Sequence, residues 1–232
     1  MIGMSAADPR VGVIVVNYRT PEMVLDCLES LDNERAALSE LHCVVTDAAS
    51  EDDSVLLIGE GVDEHGWRDW VDVIPLDRNG GFAYGNNAAI RDMLMSTAPP
   101  DYFMLLNPDT LVRPGAIGAL AEFMDEHPEV GIAGSQLLDD EERQVPTARR
   151  SPGVMSELLE AARLNVLSQM LRNRRVALPM TEKPQRCDWV SGAAMMVRRE
   201  VFEQVGLLDE GYFLYFEELD FCDRARRAGW EV

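Results

Sequence analysis

Apolar and polar positions along the first 140 residues follow two rhythms that take turns. The run "VGVIVVNY" (Val11 to Tyr18) is β-branched, of strand length and without alternation. That pattern predicts a strand buried on both faces, as in a parallel sheet. "TPEMVLDCLESL" follows, with Val24, Leu25, Cys27, Leu28 and Leu31 at helical spacing, Thr20 placed to cap and Pro21 at the first helical position. "LHCVVTDAAS" predicts a second strand ending near Asp47. "SEDDSVLLIGE" then predicts a helix entered from Ser50, with acids in its first turn. "WVDVIPL", "YFMLLNPDT" and "VGIAGSQLL" predict three further strands. Between them lie a glycine-rich turn running into a helix, "RNGGFAYGNNAAIRDML", and a helix closed by Pro128, "RPGAIGALAEFMDEHP". Strands that alternate with helices predict an α/β fold of Rossmann-like type, a mostly parallel sheet with helices on both faces.

After Asp139 the rhythm changes. Residues Arg143 to Arg186 are rich in arginine and proline, with one amphipathic stretch from Met155 to Leu171. That stretch, with Arg172, Arg174 and Arg175, reads as a helix packed on the sheet or as one lying against a membrane. The chain closes with "WVSGAAMMVRREVFEQVGLLDEGYFLYFEELDFCDRARRAGWEV".

Charge narrows the function classes. The formal net charge is −20, and Lys183 is the single lysine. Such a surface repels nucleic acid, so no nucleic-acid partner is expected. There is no apolar run of about 18 residues, and "MIGMSAADPR" lacks the basic-then-apolar order of a signal peptide. Cys27, Cys43, Cys187 and Cys222 have no CxxC spacing and read as reduced thiols or small core residues. A cytoplasmic location is expected, with peripheral contact at the inner face of the membrane as its extension.

Polar residues end three of the expected strands: Asn17, Asp47, and Asn107 with Asp109. Ligands of open α/β sheets bind beyond the carboxyl ends of the strands, so three polar ends on one edge point to a site. Any one of them alone would be an ordinary loop residue. "NGGFAYGNN" is neither GxGxxG nor a P-loop, yet paired glycines before a helix permit close approach of an anion such as a diphosphate. A tight turn with a helix cap explains it equally well. "FEELDFCDR" puts Glu217, Glu218 and Asp220 at a helix start, either as dipole partners or as a general base near a metal-bound phosphate.

Taken in order, "VGVIVVNYRTPEMVLDCLESL", "VVTDAASEDDS", "NGGFAYGNN", "YFMLLNPDT" and "WVSGAAMMVRREVFEQVGLLDEGYFLYFEELDFCDR" resemble the family 2 glycosyltransferases, in particular the rhamnosyltransferase-like branch. The resemblance covers nearly the whole chain outside the arginine-rich middle. It implies a GT-A fold and inverting transfer of a sugar from a nucleotide diphosphate. Residues 1–139 would form the nucleotide-sugar-binding half and 140–232 the half that binds acceptor and carries the base. By the same resemblance Asp47 contacts the nucleobase, and Asn17 and Tyr18 lie beside base and ribose. Asn79, Gly80, Gly81 and Phe82 border the donor, and Asn107 sits near the ribose. Asp109, in an NPD sequence where many relatives carry DxD, binds a divalent cation, Mg or Mn. Gly192, Ala193 and Glu217 face the acceptor, and Glu218 is the catalytic base.

Relatives commonly read DNAS where this chain has Asp47-Ala48-Ala49-Ser50, and E-D-x-D where it has Glu217-Glu218-Leu219-Asp220. They also continue past "AGWEV" to a histidine that helps hold the metal, whereas His42, His65 and His127 all lie upstream. By that comparison the chain is expected to be a C-terminally shortened member. The expected partners are a TDP- or UDP-sugar, a glycan or lipid-linked acceptor in cell-surface polysaccharide synthesis, and a second copy of the chain. The rival expectation is a non-catalytic member that binds nucleotide-sugar or acts as a scaffold, which turnover of a donor separates from an enzyme. A nucleotidyltransferase would need a glycine-rich signature after the first strand, which "NYRTPE" does not supply.

Overall fold

The unbroken apolar runs become strands with both faces covered. The structure, a computed structural model, describes residues 9–35, 38, 40–151, 177–178, 181 and 183–232. Its elements in the first 140 residues are β1 (Arg10–Asn17), α1 (Pro21–Arg35), β2 (Glu40–Asp47), α2 (Ser54–Glu64), β3 (Val71–Pro75), α3 (Gly81–Met95), β4 (Tyr102–Leu106), α4 (Ala116–Glu126), β5 (Ile132–Gly134) and β6 (Leu137–Leu138). Then come β7 (Gln144–Val145), β8 (Ala148–Arg149), β9 (Trp189–Val190), β10 (Ala194–Arg198), α5 (Arg199–Val205) and α6 (Glu217–Arg227). The main sheet runs β3-β2-β1-β4-β10-β5. β3, β2, β1 and β4 are parallel to one another, and β10 is antiparallel to both β4 and β5.

The absence of alternation in the strands now has its cause. Val13 and Val15 of β1 pack with α1, α2 and α4, while Ile14 packs with α3, α5 and α6. In β10, Ala194 and Met196 join the first core and Met195 and Val197 the second. Helices therefore cover both faces, as the sequence predicts. Of the four cysteines, all free, Cys27, Cys43 and Cys222 are buried, and burial pushes the Cys222 thiol up to about 12.

Two expectations are corrected, and the strand order adds a feature that the sequence does not show: β10 comes back from late in the chain and lies between β4 and β5. The stretch Val130 to Leu138 also breaks into two elements, with β6 leaving the main sheet to pair with β7. A Cβ on Gly134 would lie 2.7 Å from the Val190 side chain, so the chain can pass that point only as glycine and then turns away. Finally, α2 starts at Ser54, and Glu51, Asp52 and Asp53 precede it instead of filling its first turn. Ser50 is spent elsewhere, as described below. The amphipathic stretch Met155 to Leu171 and its arginines lie outside the described residues.

Candidate functional site

Parallel register sets the site. Asn17 of β1 stands opposite Asp47 of β2, Val15 opposite Leu106 of β4, and Leu106 opposite Ala194 of β10. The carboxyl ends of β1, β2 and β4 therefore meet the amino end of the antiparallel β10 on one edge. This brings Asn17, Asp47, Asn107 and Ala193 to neighbouring positions, although 176 residues separate Asn17 from Ala193 in the chain (193 − 17).

The first group on that edge is a closed polar knot. Asn17 and Asp47 are 0% and 3% exposed. Asn17 Nδ2 donates to Asp47 Oδ1 at 2.7 Å, and Ser50 donates to Asp47 twice, from its hydroxyl to Oδ1 at 2.6 Å and from its backbone N–H to Oδ2 at 3.0 Å. Asn17 Oδ1 in turn accepts from the backbone and hydroxyl of Thr20, both at 3.1 Å, at the entrance to α1. Ser50 also receives Arg19 N–H at 3.0 Å. The two carboxamide and carboxylate groups thus fix the loops after β1 and β2. Those loops hold Arg19, Ala49 and Glu51 at φ of 62°, 49° and 56°, a left-handed conformation that non-glycine residues adopt only when their surroundings impose it. Tyr18 stands at the mouth of this region, 44% exposed, with the Arg19 guanidinium 5.1 Å from its ring centre. We predict that Asn17→Ala, which removes one of the three hydrogen bonds to the Asp47 carboxylate and the acceptor of both Thr20 donors, lowers stability by about 1–3 kcal/mol in urea unfolding. A change below the error of the fit would show that the knot carries no stability.

The glycine-rich loop opens α3. Gly81 donates to Asn79 Oδ1 at 3.1 Å, and Phe82 N–H donates to the carbonyl of Phe213 at 3.1 Å. Two N–H groups of the helix start are therefore already committed within the protein, which narrows its use as an anion site. A Cβ on Gly80 would meet the Tyr84 ring at 2.5 Å, and one on Gly81 would meet the Phe213 carbonyl oxygen at 1.8 Å. Behind the loop, buried Asn87 holds the 208–210 segment through Leu208 and Glu210, while Asn86 bonds back to Phe82.

Asn107-Pro108-Asp109 forms the turn after β4. Asn107 N–H donates to the Ala193 carbonyl at 2.9 Å and Thr110 N–H to the Asn107 carbonyl at 3.1 Å, so this turn is tied to the Gly192–Ala193 loop. Asp109 is exposed. Among the described residues no three His, Cys, Asp or Glu side chains gather as a metal cage. One exposed carboxylate still fits Mg²⁺ or Mn²⁺, hard cations that commonly take one or two carboxylates and complete their shell with phosphate oxygens and water.

The acidic helix start lies across from the glycine loop. A Cβ on Gly192 would sit 3.2 Å from the Phe82 ring and 3.9 Å from Glu218 Cβ, so these three residues enclose one corner. The three acids of α6 differ in what they touch. Asp220 is spent on Arg224 at 2.7 Å, and that arginine is anchored on the carbonyls of Val205 and Leu207 at 2.8 Å. Glu217 is 3% exposed, and Glu218 is half-buried. Oε2 of each is buried with no hydrogen-bond partner. Burial holds both carboxyls above the usual carboxylate range, and Glu217 raises Glu218 further, while the Arg149 guanidinium pulls Glu218 the other way. Unpaired buried carboxyls with raised pKa are the form a general base takes near neutral pH.

The segment leading into α6 is unusual in two ways. Tyr212, Phe213, Leu214, Tyr215 and Phe216 are all exposed, between 37% and 67%. Tyr215 and Phe216 have φ of 69° and 71°. The aromatics of "GYFLYF" thus form an open ledge, tied to the glycine loop through Phe213. Sequence reasoning missed Ser50 and Arg149 as site residues. Ser50 looked like a helix start, and Arg149 is one arginine of many in its stretch.

Comparisons with known proteins bear on the family and the fold. The profile of the family described as glycosyltransferase like family 2 matches residues 9–232. An N-acetylglucosaminyl-diphospho-decaprenol L-rhamnosyltransferase of Mycobacterium tuberculosis is 32% identical over 171 residues, 69% of this chain and 54% of that protein. The low-salt glycan biosynthesis hexosyltransferase Agl10 of Haloferax volcanii is 28% identical over 95% of this chain and 62% of its own length. The chain thus spans about half to three-fifths of the curated relatives it matches. In structure, a mannosyltransferase of Pyrobaculum calidifontis in complex with GDP-Man and Mn²⁺ superposes with a TM-score of 0.65 at 16% identity, covering 97% of this chain and 54% of that one. TarS of S. aureus in complex with UDP-GlcNAc gives 0.59 at 18% identity, covering 93% and 53%. The fold is the GT-A type of these enzymes, and with the family profile matched from residue 9 to residue 232, the chain belongs to the glycosyltransferase like family 2.

Proposed function

We propose that this chain transfers a sugar from a nucleotide diphosphate donor to an acceptor hydroxyl with inversion, in cell-surface polysaccharide synthesis, and that Glu218 is the base. The observation that carries the reading is the unpaired, half-buried carboxyl of Glu218, whose Cβ borders the corner of Gly192 and Phe82, with Asp220 excluded by its bond to Arg224. The Glu218 carboxylate takes the proton of the acceptor hydroxyl. The freed oxygen pair attacks the anomeric carbon on the face opposite the diphosphate. The bond from that carbon to the diphosphate breaks, its electrons leave on the nucleotide, and configuration inverts. Asn79 to Phe82 and Asn107 border the donor. Gly192, Ala193 and Glu217 border the acceptor. The buried knot of Asn17, Asp47 and Ser50 sets the loops on which Tyr18 meets the base. A divalent cation held by Asp109 neutralises charge on the diphosphate when bound.

Relatives named as rhamnosyltransferases support TDP-rhamnose as the first donor to test and a lipid-linked acceptor as the first acceptor class. UDP-sugars come second. The test begins with thermal stability against TDP, UDP and GDP, each with and without Mn²⁺. A ligand that binds only the folded state raises the melting point by mass action. We expect a metal-dependent rise with one nucleotide, and Asp109→Asn to remove most of the metal-dependent part. A rise that survives Asp109→Asn unchanged moves the cation elsewhere. With the donor chosen, the anomeric configuration of the product, read by NMR, checks inversion.

A further inference from the structure

One basic side chain outside the assigned residues acts on the Glu218 carboxyl. Arg149 ends β8 and pairs with Trp189 of β9. Its guanidinium carbon lies 5.1 Å from the centre of the Trp189 ring. The hairpin is tightly tied. Asp188 N–H donates to the Arg149 carbonyl at 2.9 Å, Ser191 N–H to Thr147 at 3.1 Å, and Trp189 Nε1 to the Arg150 carbonyl at 3.0 Å. β9 packs directly on α6, the helix that carries Glu217 and Glu218. Arg149 is therefore fixed from its backbone and from its stacking partner, on the strand pair that packs against the acidic helix.

Three buried polar atoms in this region lack hydrogen-bond partners: Arg149 Nε, Glu217 Oε2 and Glu218 Oε2. One is a donor and two are acceptors when ionised. Buried polar atoms are nearly always paired, so an unpaired set of opposite kinds marks a place for something that joins them. A hydroxyl is the simplest group that does so. It accepts from an N–H through a lone pair and donates its own proton to a carboxylate.

We propose, resting on the assignment of Glu218 as base, that Arg149 is a positioning residue for the transfer. Its Nε–H and Glu218 Oε2 hold one acceptor hydroxyl between them, and its charge balances the Glu218 carboxylate. The hydroxyl's proton passes to Glu218, and its oxygen, still held by Nε–H, is left with the electron pair that attacks. The charged groups that act on Glu218 are Glu217 on its own helix and Arg149 from β8, and the buried Cys222 thiol stands on the same helix. Gly192 and Phe82 close the corner without charge. Arg149 is thus the cation of the set. Removing it raises the Glu218 carboxyl further and starves the base of its ionised form at low pH.

The test uses Arg149→Gln and Arg149→Lys with two readouts. The first is the pH titration of the Glu218 carboxyl by carbon-13 NMR, its resonance assigned with Glu218→Gln. The second is release of TDP from TDP-rhamnose with Mn²⁺, water standing in for the acceptor hydroxyl, from about pH 5.5 to about pH 9. We expect Arg149→Gln to move the titration to higher pH and to cut turnover roughly tenfold more near pH 6 than near pH 8.5. Arg149→Lys keeps the charge but loses the Nε–H. It should keep the parent midpoint while slowing turnover at every pH, and it decides the matter if Arg149→Gln does not fold. An unmoved midpoint in Arg149→Gln, or a displaced one in Arg149→Lys, overturns the proposal. The titration needs no turnover, so an unmoved midpoint removes the role of Arg149 whatever Glu218→Gln does. Full turnover in Glu218→Gln instead removes the base assignment, whatever the titration shows.

Discussion

Glu218→Gln should lose transfer by about 10²- to 10⁴-fold, the range a positioned general base contributes, while nucleotide binding persists. The amide keeps the shape of the side chain and removes the proton acceptor. The same variant should be no less stable than the parent at neutral pH, and this second half separates a catalytic loss from a structural one. The sign follows from linkage. Burial raises the Glu218 carboxyl in the folded protein, so between its unfolded and folded values the native state holds more protons than the unfolded chain. Stability contributed by the protonated form is full below the unfolded value and declines as pH rises through the folded one. At neutral pH the parent therefore carries a disfavoured charge that glutamine lacks. Melting curves of parent and variant at about pH 5 and about pH 8 check this, with the variant gaining at the higher pH. Transfer at the parent rate would move the base to Glu217.

Gly81→Ala should be the most damaging small substitution near the site. Gly81 sits at φ +85°, and an added Cβ would fall 1.8 Å from the Phe213 carbonyl oxygen. That oxygen is backbone and accepts the Phe82 N–H, so relief requires the aromatic ledge to lift from α3. Gly115 is the matched control, at φ +82° with nothing within 4 Å of its would-be Cβ. Gly115→Ala should cost about 1–2 kcal/mol from the left-handed backbone alone. Gly81→Ala should cost a further 1–3 kcal/mol or so and should also flatten the nucleotide-dependent rise in melting temperature. Urea unfolding of the two variants gives the difference directly. Equal losses would mean the ledge and the glycine loop are not coupled.

Much of the fold was legible because its signals are local. Val11 to Val16 and Tyr102 to Leu106 are apolar on both sides, and only a strand covered by two helical layers uses such runs. The acids of "FEELDF" do start a helix. What the sequence hides is pairing over distance. Nothing in "AMMVR" says that it will run antiparallel between two segments laid down 60 or more residues earlier (194 − 134 = 60). The site shows the same division. Asn17 and Asp47 stand out as polar strand ends, but that they bond to each other and to Ser50 depends on the β1–β2 register, a tertiary fact. Arg149 differs from its neighbours Arg143 and Arg150 only in standing opposite Trp189. No local pattern distinguishes it.

The central place of β10 also orders the birth of the molecule on the ribosome. Until residues 194–198 have been synthesised, β4 has one open side and β5 has no partner in the main sheet. A nascent chain that has reached Asp139 holds four of the six strands of the main sheet in their parallel order, and β5 besides, yet presents the edge of β4, whose Tyr102 to Leu106 are all buried in the finished protein. Such an edge invites pairing with other chains. Completion of β10 is thus what seals the sheet against self-association, and the segments on either side of Asp139 share a single folding event.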